Sequence, residues 1–186
     1  MSIFENKKNL LIFVSILIIL FLGFLFYFPL RGYISELKER KAQTELAQDK
    51  SLIEATVNSF YSDYVKAING NLTWVDLIDK YTSGRAKNQV SGYALIFLDD
   101  ATHGAQHLAK ITTPIQIKII SLGNQKAEAL VDFSMNEGVA GEKLKIIPFK
   151  NLLFLEKQGS SWFITGIGER TERFDEYLKS QGILIF

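Results

Sequence analysis

The sequence predicts an α+β protein: an N-terminal transmembrane helix and a helical stalk, then three helices packed on a curved antiparallel sheet of about four strands. Three observations carry this. The run LLIFVSILIILFLGFLFYFPL, Leu10 to Leu30, contains no charged residue. Between Ser51 and Leu95 the apolar residues recur at helical spacings of three and four. After Thr112 the period changes to two, the spacing of a half-buried strand.

Residues 1–9 form a short tail ahead of the apolar run. About 21 residues rising ~1.5 Å each cover the roughly 30 Å hydrocarbon core of a bilayer, so residues 10–30 are expected to cross it as a helix. A cleavable signal peptide would have a shorter apolar region, about 7–15 residues, before a small-residue cleavage site. Here the run ends in Tyr27, Phe28, Pro29, Leu30 and Arg31, which suits an interfacial anchor that stays in the mature protein. Lys7 and Lys8 precede the span while Arg31, Lys38, Arg40 and Lys41 follow it, so positive charge alone does not place the N-terminus inside. The short tail, similar to the leader of a signal anchor, and the offset from Glu36 and Glu39 make a cytoplasmic N-terminus and an extracytoplasmic C-terminal domain the expectation.

Residues 31–50 are rich in Glu, Lys, Ala, Leu and Gln, the straight-chain helix formers, and read as a helical juxtamembrane linker. Ile34 and Leu37 do not extend into a sustained heptad, so a solvated spacer is favoured over a coiled coil. The folded domain, residues 51–170, opens with Ser51 and Glu54 as a capping-box signature. Ile53, Val57, Phe60, Tyr61, Tyr64, Val65 and Ile68 then recur at spacings of three and four, and Asn69-Gly70 supplies a left-handed stop. Thr73 is placed to cap a short helix from Trp74 to about Tyr81. A third helix is expected over roughly Gly84 to Leu95, with Gly92 weakening it.

In TPIQIKIISL, Ile115, Ile117 and Ile119 share one side of a strand. Gly123-Asn124 signals a two-residue hairpin, because both residues tolerate positive φ. Ala127, Ala129, Val131, Phe133 and Met135 alternate with Glu128, Leu130, Asp132 and Ser134, so a second strand with one buried face is expected. A long third strand, from about Lys143 to Lys157, contains Pro148, where a bulge or bend is expected. A turn at Gln158-Gly159-Ser160 returns the chain through Trp162 and Ile164, and Gly166 and Gly168 read as an exit from the sheet. Residues 171–186 read as a short helix, ended by Gly182, and an apolar tail. Ile183, Leu184, Ile185 and Phe186 are candidate partner-binding residues, since four apolar residues at a chain end add a strand to a sheet edge or meet a partner.

Charge excludes one class of function. The formal net charge is +1 from 21 basic and 20 acidic residues, with no basic stripe downstream of Ser51, so no nucleic-acid partner is expected. The absence of cysteine removes disulfides, thiol nucleophiles and thiolate metal sites. For metal, the sharpest pattern is LDDATHGAQH: Asp99, His103 and His107 are four apart, would share one face of a continuous helix, and are ligand types that suit zinc. Gly104 weakens that helix and no further ligand follows, so exposed polar residues are the default and neither a metal nor another cofactor is expected. Gly166-Ile167-Gly168 lacks the third glycine and the helix of a dinucleotide site.

Helices followed by a strongly bent antiparallel sheet resemble the cone-shaped nuclear-transport-factor-2-like fold, and KNLLFLEKQGSSWFITGI resembles the closing hairpin of its bacterial members. With the N-terminal anchor and stalk, the whole is similar to the bitopic inner-membrane assembly factors of type IV secretion and conjugation systems. That resemblance implies a non-enzymatic scaffold in the cell envelope. Its implied partners are the membrane lipid bilayer, other envelope-complex subunits and further copies of itself. The C-terminal RTERFDEYLKSQGILIF has no counterpart in the pattern. The same fold also hosts isomerases and dehydratases, which implies an alternative as a membrane-tethered small-ligand binder or enzyme. In that case Asp99, Asp100, His103, Tyr64 or Asp132 would serve as acid or base.

Overall fold

In the computed structural model the described residues are 3–169, with Lys179 and Gly182; before Tyr33, side chains are described only for Ser15, residues 17–22, Phe24, Tyr27 and Arg31. The candidate partner residues Ile183, Leu184, Ile185 and Phe186 lie outside the described residues. Gly182 takes φ 75° and donates its N–H to Lys179 O at 2.9 Å; the short helix expected ahead of it lies almost wholly outside the described residues. The chain divides into two units, Met1–Ala47 and Gln48–Phe186.

The elements are helices α1 (Ile3–Ile68), α2 (Trp74–Tyr81) and α3 (Gly84–Thr102), and strands β1 (His107–Ile111), β2 (Gln116–Leu122), β3 (Lys126–Val139), β4 (Lys145–Gln158) and β5 (Ser161–Glu169). The expected linker helix and first domain helix are one element. Ser51 therefore caps nothing: no glycine or proline falls between Tyr33 and Ile68, and extending an existing helix is far cheaper than nucleating a new one. In the first unit the described side chains from Leu17 to Leu22 are all exposed. Among the described residues no helix is long and apolar enough to cross a membrane.

The second unit has β3 at its centre. β4 pairs antiparallel along one side of β3, from Lys126↔Glu156 to Glu137↔Lys145. The other side is shared by β2, paired with the N-terminal half of β3, and β1, paired with its C-terminal half. β5 lies beyond β4. Strands β2 to β5 form the expected meander, and β1 corrects the expected four strands to five.

Two local expectations also change. Gly123 N–H donates to Lys126 O at 2.8 Å, but neither Gly123 nor Asn124 takes a positive φ, so residues 123–125 form a wider loop in place of a two-residue left-handed turn. No register shift marks Pro148. Ser134, its partner on β3, donates to Thr113 Oγ1 at 2.7 Å and accepts from Thr112 N–H at 2.8 Å, both away from β4. The pair is thus a non-hydrogen-bonded one, and the proline nitrogen faces the side where β5 has already ended, opposite Asn151. The turn at Gly159-Ser160 forms as expected, with Gly159 at φ 64°. Gly166 and Gly168 lie inside β5; a Cβ on Gly166 would stand 3.2 Å from Phe154 Cδ2, so the missing side chain makes room for that ring.

The alternation read in β3 breaks at Leu130, which is buried on the opposite face, but the face read there is buried at Ala127, Ala129, Val131, Phe133 and Met135. They meet Ile53, Val57, Phe60 and Tyr61 of α1 in one core. The Tyr61 and Phe133 rings contact edge-to-face at 4.8 Å. Asp63 ties α1 to α2, accepting from Lys66 Nζ at 2.7 Å, Tyr81 Oη at 2.7 Å and Lys80 Nζ at 3.1 Å. The bond from Lys66 is the main cause holding its carboxyl at about 2, well below the usual carboxylate value. A depressed carboxyl stabilises the fold above the unfolded-state pKa of about 4 and loses that contribution as pH falls toward 2. Because both lysines are largely exposed, about 1–2 kcal/mol is expected in this window. Urea titrations at pH 5 and pH 2.5 should show Asp63→Asn flattening the pH dependence of stability by that amount.

Candidate functional site

At one end of the domain the C-terminus of α1, the N-terminus of α2, the C-terminus of α3 and the start of β1 enclose an open cavity of about 620 Å³. Local sequence shapes its rim. At α1, Gly70 takes φ 73°, its N–H donates to Ala67 O at 3.1 Å and Asn71 N–H donates to Lys66 O at 2.8 Å. At α3, Gly104 takes φ 85°, its N–H donates to Ala101 O at 3.1 Å and Ala105 N–H donates to Asp100 O at 3.0 Å. Both are Schellman endings, which need a residue free of Cβ at the left-handed position. The cap read at Thr73 is present: its Oγ1 accepts from Asp76 N–H at 3.1 Å and starts α2.

The cavity wall is aromatic. Trp74 and Phe97 stack at 5.3 Å, Tyr64 meets Trp74 edge-on at 5.5 Å, and Phe97 meets His107 edge-on at 4.9 Å. Val75 and Leu98 line the opening, with 66% and 50% of their surfaces exposed. Beside them on α3, Leu95 is 67% and Ile96 59% exposed, whereas the helix buries Ala86, Val90 and Ala94. Thus α3 gives Ala86, Val90, Ala94 and part of Phe97 to the core and leaves Leu95, Ile96 and Leu98 outward, more apolar surface than the solvent side of an amphipathic helix usually carries.

The polar part of the site is small. His107 Nε2 and Asp100 Oδ2 are 2.9 Å apart. A neutral ring donating Nε2–H to that carboxylate presents Nδ1 as an acceptor, and Nδ1 is buried without a partner among the described residues. Glu137, on β3 opposite Ala109, has its carboxyl pushed up by burial, with the nearby His107 opposing the shift. Burial likewise raises the Tyr64 phenol, and Glu137 adds to it. The cluster can hold an apolar group, with the polar atoms of His107 either paired with Asp100 or buried. As a base, Nδ1 is closed off from water.

The helical spacing expected of Asp99, His103 and His107 is not realised. The helix ends at Thr102, His103 is its cap, and His107 begins β1. Asp99 and His103 stay together in solvent, with His103 Nδ1 2.9 Å from Asp99 O, and His107 takes Asp100 instead. Among the described residues no group of three such side chains is placed to hold a metal ion. Asp132 lies on β3 opposite Gln116 and Lys150, its carboxylate 3.9 Å from Lys150 Nζ. The apolar rim was legible in principle: Leu95-Ile96-Phe97-Leu98 on a helix spans most of its circumference, so some of it must face outward.

Fold and cleft together define an α+β domain with an antiparallel sheet, three helices and an apolar cleft at their ends. No protein-family model and no curated protein matches the chain. Twelve chains of solved structures do. One is the intermembrane-space region of the chloroplast protein ARC6, similar with a TM-score of 0.50 and 11% identity over 62% of this chain and 92% of that one. A likeness at this identity shows a common fold.

Proposed function

We propose that the chain is a membrane-anchored, non-enzymatic scaffold or assembly subunit of a cell-envelope complex, of the secretion or conjugation type. Its extracytoplasmic domain, of the cone-shaped nuclear-transport-factor-2-like class, acts through protein–protein contacts at the cleft. The uncovered apolar side of α3 carries the proposal: Leu95, Ile96 and Leu98 face water, while Ala86, Val90 and Ala94 fill the core. Covering these half-exposed side chains and Val75 is worth on the order of 1 kcal/mol each, a gain that an apolar surface of another envelope subunit supplies. The anchor rests on the uncharged run from Leu10 to Leu30 and on the uncovered side chains of Leu17 to Leu22, which point to all sides of their helix. The orientation keeps the N-terminus in the cytoplasm.

Affinity purification of the full chain from native membranes tests the scaffold role. The double variant Val75→Asp, Leu98→Asp should reduce recovery of co-purifying subunits by about tenfold or more, the equivalent of ~1.4 kcal/mol. Its thermal stability should hold, because both positions are exposed. Unchanged recovery would remove the cleft from the scaffold's contacts. Deleting Ile183, Leu184, Ile185 and Phe186 forms the second arm and separates a role of the tail from one of the cleft.

The Asp100–His107 pair beside the cavity favours a second reading, a tethered small-ligand binder or isomerase-like enzyme. There His107→Gln would abolish ligand binding while leaving subunit recovery intact.

A further inference from the structure

An open sheet edge presents unpaired N–H and C=O groups in a row, and a second strand can pair with them. Backbone direction in this sheet follows from its register. Ser134 points its polar groups toward β1 and β2, so the alternate residues of β1, Leu108 and Lys110, bond to β3 and Ala109 faces outward. On β5, Gly166 and Gly168 face β4 and Ile167 faces outward.

Each of these outward residues meets a side-chain amide from a distant helix end or helix. Asn69 Nδ2 donates to Ala109 O at 2.9 Å, and Ala109 N–H donates to Asn69 Oδ1 at 2.7 Å. Gln89 Nε2 donates to Ile167 O at 2.7 Å, and Ile167 N–H donates to Gln89 Oε1 at 3.0 Å. A primary amide sets an N–H donor beside a C=O acceptor in the spacing of a peptide group, so each reproduces the pair of bonds that a neighbouring strand would make. Ser83 N–H adds a bond to Ile164 O at 2.9 Å on the same β5 edge. The unpaired stretch of β4 is blunted differently, by Pro148 and Lys150 on its outward positions.

We propose that Asn69 and Gln89 are edge guards: they occupy the strand-pairing positions of β1 and β5 and so deny these edges to the matching edge of a second copy of this chain. Gln89 also helps to hold α3 along β5, and an edge that loses this guard and is uncovered by α3 is self-complementary, because an antiparallel pair about a two-fold axis matches Ile167 with residues of the same strand. The two edges differ in hazard. β1 carries Lys110, a charge that disfavours strand addition, whereas β5 reads SWFITGIG without a charge until Glu169. Gln89 is therefore the more consequential guard.

The test uses the full chain in one detergent, as wild type, Gln89→Ala and Gln89→Glu, with hydrogen exchange of the Ile167 amide and sedimentation velocity over a concentration series. In Gln89→Ala the Ile167 amide should exchange at least about tenfold faster in dilute sample, and self-association should strengthen at least about tenfold. Gln89→Glu retains an acceptor for Ile167 N–H and puts a charge on the edge, so it should associate less than Gln89→Ala. Should Gln89→Ala not fold, Gln89→Asn, which keeps the amide and shortens its reach, takes the same readouts. A folded variant with a deprotected Ile167 amide that sediments as wild type overturns the proposal, and so does an Ile167 amide that already exchanges freely in wild type.

Discussion

Asp49→Ala is expected to lower the unfolding free energy by about 3 kcal/mol, nearly all of it from the loss of two partners, Lys157 and Trp162, that no other group replaces. Asp49 is 8% exposed. Its carboxylate accepts from Lys157 Nζ at 2.6 and 2.9 Å and from Trp162 Nε1 at 3.1 Å. The bond from Lys157 is the largest influence on its carboxyl, which lies below the usual value despite the opposing effect of burial. Removing the carboxylate leaves the buried indole N–H without an acceptor and a part-buried ammonium without its counter-charge. Lys157 retains some solvent contact, which keeps the loss at the lower end of what breaking a buried ion pair costs, about 3–5 kcal/mol. Asp49→Asn keeps an acceptor for the indole and should cost about half as much. Urea titration followed by tryptophan fluorescence suits the measurement, since Trp162 is one of only two tryptophans. A loss below ~1 kcal/mol for Asp49→Ala would show that Lys157 and Trp162 find other partners. The sign with pH follows from the lowered carboxyl: the contribution is complete above the unfolded-state value and disappears as acid protonates Asp49 in the folded chain.

How far the sequence announces this architecture depends on the range of the interaction involved. The Thr73 cap, the Asn69-Gly70 ending and the buried face from Ala127 to Met135 are local signals, and each appears where its pattern places it. Helix α3 runs seven residues beyond its expected end at Leu95, to Thr102. Gly92 misleads there: it is solvent-facing, with nothing within 4 Å of a hypothetical Cβ, and one such glycine costs only about 1 kcal/mol. Strand β1 is five residues long and includes Lys110 and Ala109, so neither length nor β-propensity marks it. What defines it is pairing with β3 and with Asn69, contacts made across the fold.

The candidate site divides in the same way. Spacing of four among Asp99, His103 and His107 assumes a helix that continues, and the Schellman ending at Gly104 stops it; His103-Gly104 was the available signal. The pairing of Asp100 with His107 depends on the turn that follows, and the stacking of Trp74 on Phe97 brings together separate helices. Gln89 and Ile167 are 78 residues apart. No periodicity links such positions, because each is set by where α3 lies against β5.

The same dependence on tertiary placement makes Phe60→Ala the other large expected loss, about 4 kcal/mol. Phe60 is 1% exposed. Its ring meets Tyr61 at 5.0 Å and Tyr81 at 6.1 Å, both edge-on, and Tyr64 at 6.1 Å. Truncation to alanine removes the transfer energy of a buried ring and leaves a cavity that three aromatic side chains would have to collapse into. They cannot move freely. Tyr81 is held by its hydroxyl bond to Asp63 at 2.7 Å, and the Tyr61 hydroxyl accepts from Asn151 Nδ2 at 2.9 Å. Collapse would break bonds whose loss costs about 1 kcal/mol each, so the cavity should persist. Phe60→Leu fills most of the space and should cost about 1.5 kcal/mol. A double-mutant cycle of Phe60→Leu with Tyr81→Phe separates packing from polar restraint. If the Tyr81–Asp63 bond is what prevents repacking, Tyr81→Phe should reduce the penalty of Phe60→Leu; strictly additive losses would show that the aromatic cluster is rigid by packing alone.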